Sequence, residues 1–252
     1  MNFFSLFKRN IIYNFKKKVS IDTDNISNKS LDELFHYYGS DKANIFKKGN
    51  RQGHGYSSFY TNQLNGLINH KINILEIGSY AGASAAAFVK YFPNSNVFCF
   101  DVNISNFKFK SKNIHVFGID INNRNKVQKS LTKIFNQHKF AHFDLIIDDG
   151  SHNLKDILIS LNLFFKFLKD DGIFIIEDFK HPNYYKYNRN VEHILVDEFL
   201  KNLISKTYCN STIINQEDQK YLMNTIRKID IYKGNLKDSD ICFIKKKSIK
   251  LF

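Results

Sequence analysis

The chain has 252 residues, 43% of them hydrophobic and 24% charged, with a formal net charge of +13. That length holds one large domain with a buried core, or a domain with a modest appendage, and the composition excludes a disordered chain. No apolar run approaches the roughly 20 residues that a transmembrane helix needs, and the excess of lysine and arginine points to an anionic partner: nucleic acid, a membrane surface or a phosphorylated small molecule.

Residues 1–19 carry Phe3, Phe4, Leu6, Phe7, Ile11, Ile12 and Phe15 beside Lys8, Arg9, Lys16, Lys17 and Lys18, with no acid. The pattern predicts a basic amphipathic helix, packed on its own domain or a partner subunit, or else resting on a membrane. Lys8 and Arg9 interrupt its apolar part, so it does not read as a signal peptide. Ser30 is placed to cap a helix over Leu31–Tyr38. From Lys71 onward apolar strands alternate with helices. The strands are Ile72–Ile77, Val97–Asp101, Ile114–Gly118, Phe143–Asp148 and Gly172–Ile176. Helices fall near Ala83–Tyr91, Asn125–Phe135 and Leu154–Leu168, with another over Val191–Ser205. Continuous apolar strands separated by helices predict a Rossmann-like α/β fold, a mostly parallel sheet covered on both faces. The segments Ile226–Tyr232 and Ile241–Lys245 predict an antiparallel hairpin at its edge. We divide the chain into a helical extension and active-site cap, 1–68, and a main domain, 69–252. Cys99, Cys209 and Cys242 lack metal-type spacing and read as free thiols in a reducing cytoplasm.

The residues with chemistry sit where strands end. In FDLIIDDGSHN (143–153) and GIFIIED (172–178), buried strands run into paired acids, which places Asp148, Asp149, Glu177 and Asp178 on the rim where open α/β sheets bind ligands. The first strand ends in ILEIGSYAGAS. Gly78 and Gly82 frame a turn, with Ser79 and Tyr80 inside it, that brings backbone close to a ligand. The spacing is G-x-x-x-G, so the dinucleotide fingerprint is absent. Glu76 can accept from a cationic amine, Asp101 from two ribose hydroxyls, and Asp120 lies where an adenine amino group would be. The bland alternative for each acid is a helix cap or turn former. For Asp149 or Ser151 that means capping a helix that begins near Asn153; for His152 it means an ordinary surface residue.

This ordered set resembles the class I S-adenosylmethionine (SAM)-dependent methyltransferases over Ile72 to Asp178. The resemblance implies that Gly78, Gly82 and Asp101 hold SAM, with Asp120 near the adenine and Asp148 near the methionine end. DDGSH followed by IIED is similar, more narrowly, to metal-dependent sugar O-methyltransferases that modify macrolide sugars, and to their relatives in surface-polysaccharide clusters. YGSDK (38–42) and HGYSSFY (54–60) resemble the segment before the SAM domain in those relatives. The resemblance implies Mg²⁺ on Asp149 and Asp178 with help from Glu177, and His152 as general base. After Asp178 the chain reads FKHPNYY and departs from the macrolide enzymes.

The residues support the same chemistry without the resemblance. Carboxylates on neighbouring strands, about 4.8 Å apart at the backbone, repel unless a cation or proton intervenes. Oxygen ligands favour a hard ion such as Mg²⁺. A coordinated sugar hydroxyl loses its proton more readily, to an adjacent histidine. His54, Tyr56, His181, Tyr184 and Lys180 are assigned to the acceptor. Tyr185, Lys186, Tyr187 and Arg189 extend a basic aromatic loop that could grip a phosphate. The expected function is therefore SAM-dependent O-methylation of a sugar carried on a nucleotide or a surface glycan, in the cytoplasm, with self-association and contact with the inner membrane face as the two further options for the chain. The alternative is a nucleic-acid (RNA) methyltransferase, which the charge suggests. Against it, the proline–proline–aromatic run of base-methylating enzymes is missing after Asp148, and the lysines form no stripe, so no nucleic-acid partner is expected.

Overall fold

The computed structural model describes residues 3–26, 28–180 and 194–248. Its centre is a seven-stranded sheet built from β1 (Ile72–Ile77), β2 (Ser95–Asp101), β3 (Ile114–Gly118), β4 (Phe143–Asp148), β5 (Leu168–Glu177), β6 (Ile226–Lys233) and β7 (Asp240–Lys246). The order across the sheet is β6-β7-β5-β4-β1-β2-β3. Strands β1 to β5 are parallel, while β7 runs antiparallel to β5 and β6 antiparallel to β7. The order reverses direction at β1, between β4 and β2, the switch point where open sheets bind ligands. The predicted strands and the edge hairpin are all present.

Why the strands read as unbroken apolar runs is visible in the packing. Leu75, Phe98, Phe100, Ile146 and Phe174 join a core on one face with α5 (Arg124–His138), α6 (Leu154–Phe164), α7 (Val196–Ser205) and α8 (Gln216–Thr225). Ile74, Val97, Cys99, Leu145, Ile147 and Ile175 turn to the other face, against α4 (Ala83–Tyr91). Alternate residues of each strand are thus buried on opposite sides. Helix α6 is shorter than expected, ending at Phe164 in a 3₁₀ turn over Phe165–Phe167. The first part of the predicted Val191–Ser205 helix lies outside the described residues, and α8 is a helix the sequence reading missed.

Among its described residues, the N-terminal extension forms no core separate from that of the sheet and α4. Helices α2 (Leu31–Tyr38) and α3 (Ser57–Leu64) place Leu31, Leu34, Phe35, Tyr60 and Leu64 in the same cluster as α4. Phe35 packs edge-on to both Tyr60 and Phe88, and each such large side chain contributes roughly 1.5–3 kcal/mol by burial. Ser30 and Glu33 form the capping box that starts α2, and Gly39 closes it in the left-handed conformation. Next, residues 41–44 run beside 53–56: Tyr56 N donates to Lys42 O (2.9 Å), Gly55 N to Ala43 O (3.1 Å) and His54 N to Asp41 O (2.7 Å). This ladder brings the YGSDK and HGYSSFY segments together above the strand ends. Further out, α1 (Phe3–Phe15) packs against the residues after β2 through Leu6 and Tyr13, and Val19–Ser20 pair in parallel with Phe109–Lys110. The helix expected in residues 1–19 therefore rests on its own domain.

Candidate active site

Two turns meet at the switch point. Gly78, at φ 87°, ends β1 so close to the turn after β4 that a Cβ would collide with the carbonyl of Asp149. Only glycine allows both the conformation and the approach. Gly82, at φ 77°, lies against the Phe107 ring in the same way and opens α4. Beside this turn, Asp101 accepts from the backbone N–H of Tyr80 (2.7 Å) and of Asn103 (2.5 Å), which fixes its carboxylate at the end of β2. Asp120 accepts from Asn122 N at 3.0 Å. Asp148 receives Gly150 N at 3.2 Å on one oxygen, while the other is buried without a hydrogen bond. Burial pushes its pKa up to about 7. Glu76 is fully buried behind the turn; Ser84 donates to one of its oxygens and the other has no partner, and burial raises its pKa. Buried acceptors without donors are costly unless a ligand completes them.

Gly78, Ser79, Tyr80, Asp101, Asp120 and Asp148 line one cavity of about 840 Å³, large enough for a nucleoside-sized ligand. The extension roofs it with Ser40, Asp41 and Lys42, and Asp149 and His152 stand in its wall. The partnerless oxygen of Asp148 and the Asp101 carboxylate, both at the cavity, fit a ligand carrying an amine and hydroxyls, as SAM does.

The other end of the cavity is an acid cluster held by the extension. Lys42, buried to 1% exposure, places Nζ 2.5 Å from Asp149 Oδ2 and 2.5 Å from Glu177 Oε2. The Tyr60 hydroxyl donates to Glu177 Oε1 at 2.5 Å, and the Tyr56 hydroxyl donates to Asp178 Oδ1. His54 Nδ1 lies 3.3 Å from the same Asp178 oxygen and 2.9 Å from Ser239 Oγ. The remaining oxygens turn toward one point: His152 Nε2 is 3.8 Å from Asp149 Oδ1 and 3.8 Å from Asp178 Oδ2. One donor atom from each of these three residues lies within 4.8 Å of the others, a separation that a single divalent ion can bridge.

The electrostatics follow from burial against pairing. Burial disfavours the Lys42 ammonium, but Asp149 and Glu177 outweigh it and raise its pKa well above the ordinary value. Burial likewise pushes Glu177 and Asp149 upward, against the pull of Lys42. For His54 burial opposes the charge, yet its bond to Asp178 lifts the pKa to about 9. Asp178 moves down despite burial, because His54 bonds to it. Tyr80 (φ 42°), His152 (φ 55°) and Asp178 (φ 50°) all adopt the left-handed region, at a cost of about 1–3 kcal/mol each.

The structure thus brings Gly78, Ser79, Tyr80, Asp101, Asp120 and Asp148 to the cavity lining, with Glu76 and Gly82 packed behind it, and gathers Asp149, His152 and Asp178 at its end. Other assignments shift. Glu177 has both oxygens committed to Lys42 and Tyr60, so it sits behind the ion-sized gap rather than on it. Tyr56, expected at the acceptor, is fully buried and supports Asp178. His54 has the same place at its edge. Lys180 is paired with Asp240 Oδ1 at 3.0 Å, toward the hairpin. His181 and Tyr184, with Tyr185, Lys186, Tyr187 and Arg189, lie outside the described residues. The capping alternative for Asp149 fails, because Asn153 caps α6 by accepting from Lys155 N at 3.0 Å. Sequence reasoning did not assign roles to Lys42 and Tyr60. The only signal was their presence in the YGSDK and HGYSSFY strings, which name residue types but no distant partner.

No family model matches the chain. It is similar to L-olivosyl-oleandolide 3-O-methyltransferase of Streptomyces antibioticus, 29% identical over 157 residues that make up 59% of this chain and 36% of that protein. It thus spans little more than a third of that relative's length. Among solved structures it is similar to the MycE methyltransferase from the mycinamycin biosynthetic pathway in complex with Mg and SAH, at a TM-score of 0.65 and 19% identity, covering 89% of this chain and 58% of that one. A second structure of MycE, with Mg, SAH and mycinamycin VI, gives the same TM-score of 0.65 at 18% identity, over 90% of this chain and 58% of the other. The fold is that of the class I methyltransferases, and the resemblance to macrolide-sugar O-methyltransferases read from the sequence stands.

Proposed function

We propose that this protein is a SAM-dependent O-methyltransferase acting on a sugar hydroxyl, with a divalent cation, Mg²⁺ foremost, and a histidine base. The observation that carries the reading is the convergence of Asp149, His152 and Asp178 at the end of a nucleoside-sized cavity. The relatives support it: one is named for a 3-O-methylation, and MycE was solved with Mg and SAH.

In this reading Asp101 accepts the ribose hydroxyls, Asp120 lies by the adenine, and the Gly78–Gly82 turn lets backbone approach the methionine moiety. Asp148 and Glu76 supply the acceptor oxygens for its amine. Asp149 and Asp178 would hold the ion, which when bound would supply a Lewis acid that lowers the pKa of an alcohol. His152 takes the proton of the sugar hydroxyl as its oxygen forms the bond to the methyl carbon. The carbon–sulfur bond breaks at the same time, leaving the methyl ether, S-adenosylhomocysteine and a proton on the imidazole. Lys42, Tyr56, Tyr60 and His54 keep the carboxylates in place. Glu177 serves that scaffold through Lys42.

The acceptor we favour carries phosphate, as a nucleotide sugar or glycan precursor would. The net charge of +13 and the lysines Lys47, Lys48 and Lys108 at the cavity support this. Cysteines 99, 209 and 242, none in a disulfide among the described residues, suit a reducing cytoplasm. The test is transfer of labelled methyl from SAM to a panel of nucleotide sugars. Transfer should stop on chelation of divalent ions and fall by about two to three orders of magnitude in His152→Ala. Transfer that survives both sinks the mechanism, and methylation of RNA in place of any sugar would return the nucleic-acid reading.

A further inference from the structure

Helix α1 presents its apolar side to solvent. Its inward stripe is Leu6, Asn10 and Tyr13: Leu6 is buried, Asn10 reaches Gly118, and Tyr13 meets the Phe107 ring edge-on with centroids 6.3 Å apart. Arg9 Nη1 donates to Val102 O at 3.2 Å and Lys16 Nζ to Ser105 O at 2.8 Å, so the helix is fastened along its length. Positions 4, 7, 11 and 15, three or four apart, fall on the opposite side. There Phe4 is 75% and Phe15 87% exposed, with Phe7, Ile11 and Ile12 exposed between them. A helix fastened to a domain ordinarily shows polar residues outward. Here the outward stripe is aromatic and aliphatic, broken only by Lys8, and contiguous exposed patches of this kind mark interaction surfaces.

The charge around the stripe selects the partner. Residues 1–19 hold Lys8, Arg9, Lys16, Lys17 and Lys18 and no acid. A second copy of the chain would bring the same basic set against itself. An anionic lipid surface meets both demands, taking the apolar stripe at the acyl boundary and the exposed Lys8 and Lys17 at the headgroups. Among the described residues no helix is long and apolar enough to cross a membrane, so contact through α1 lies in the surface plane.

We propose that α1 docks this protein onto anionic membrane surfaces through Phe4, Phe7, Ile11, Ile12 and Phe15. Val102, to which Arg9 is bonded, lines the cavity, so the inward side of α1 adjoins the ligand end of the sheet and the docked face points away from it. The proposal does not depend on the methyltransferase reading. A chain that binds vesicles without transferring methyl groups would sink that reading and leave this one.

The full chain should sediment with vesicles of phosphatidylcholine containing phosphatidylglycerol, and not with phosphatidylcholine alone, and binding should fall as salt rises. The variant Phe7→Ser/Ile11→Ser/Phe15→Ser should lose at least about tenfold in vesicle affinity with its melting temperature held, because these side chains are exposed. Lys8→Gln/Lys17→Gln should lose the preference for anionic lipid. Equal binding to neutral vesicles, or none to either, overturns the proposal. So does a triple variant whose only change is a smaller mass in solution, since that would make the stripe a contact between copies.

Discussion

At the β1–β3 end of the crevice, acids are fixed by backbone beside them: Asp101 by the N–H groups of Tyr80 and Asn103, Asp120 by that of Asn122. At the β4–β5 end, acids are fixed by side chains more than 100 positions away: Asp149 and Glu177 by Lys42, Asp178 by Tyr56, Glu177 by Tyr60. The first end is a local construction that any strand–turn–helix unit can make. The second exists only while the extension is docked on α4 and the sheet. In the proposed reading, cofactor binding and chemistry therefore rest on different parts of the chain, and variants should separate them.

The largest separation is expected from Asp149→Asn. In the proposed reading it removes an ion ligand while leaving the nucleoside end whole, so methyl transfer should fall by about three orders of magnitude. Affinity for SAM by calorimetry should stay within about twofold, and a parallel loss of SAM binding would erase the contrast between the two ends. Lys42→Met comes next. It leaves two buried carboxylates facing each other, and loss of one partner of a buried pair costs about 3–5 kcal/mol. Denaturant unfolding should show that loss, and Lys42→Met/Glu177→Gln should recover part of it. An unchanged midpoint in the single variant would mean that the extension does not hold the acid end.

Smaller is the reverse experiment at the other end. Asp101→Asn should weaken SAM about ten- to a hundredfold, the worth of a charge-assisted hydrogen bond, while turnover at saturating SAM changes little. A fall in turnover with unaltered affinity would put Asp101 on the wrong side of the comparison. Smallest is a pH effect at the sheet edge, remote from both ends. His115 stacks on Phe98 (4.8 Å between centroids), and burial, with His138 beside it, lowers its pKa from 6.5 to about 4. The fold favours the neutral ring, so this contribution is whole above pH 6.5 and is lost as pH falls toward 4. His115→Phe should remove about 1–2 kcal/mol of the acid-side loss, discounted because the ring is only half-buried. Stability curves for the two proteins that stay parallel between pH 4 and 6.5 would refute it.

Much of this was legible beforehand, for a physical reason that differs by element. Doubly buried strands such as Phe143–Asp148 announce themselves because both faces must be apolar. The acids after them stand out because nothing in a core requires them there. Gly78 and Gly82 mark a turn by residue type alone. The helix α3 was missed because SSFYTNQL carries no clear periodicity of its own. It is helical because Tyr60 and Leu64 are buried against α4. Helix α8 was missed for a like reason, its inward residues being few, Gln219, Leu222 and Met223.

The amino-acid order alone determined the class of sheet, its rim of carboxylates, the turn at Gly78 and the histidine beside the acids, because each depends on residues within a few positions of one another. What the tertiary structure decided is which oxygen of each acid is left to face His152. Lys42, Tyr56 and Tyr60 take the others, and they reach them only because burying Phe35, Tyr60 and Phe88 together folds a distant segment over the strand ends. Contacts across more than 100 residues leave no spacing to read, and only packing reveals them.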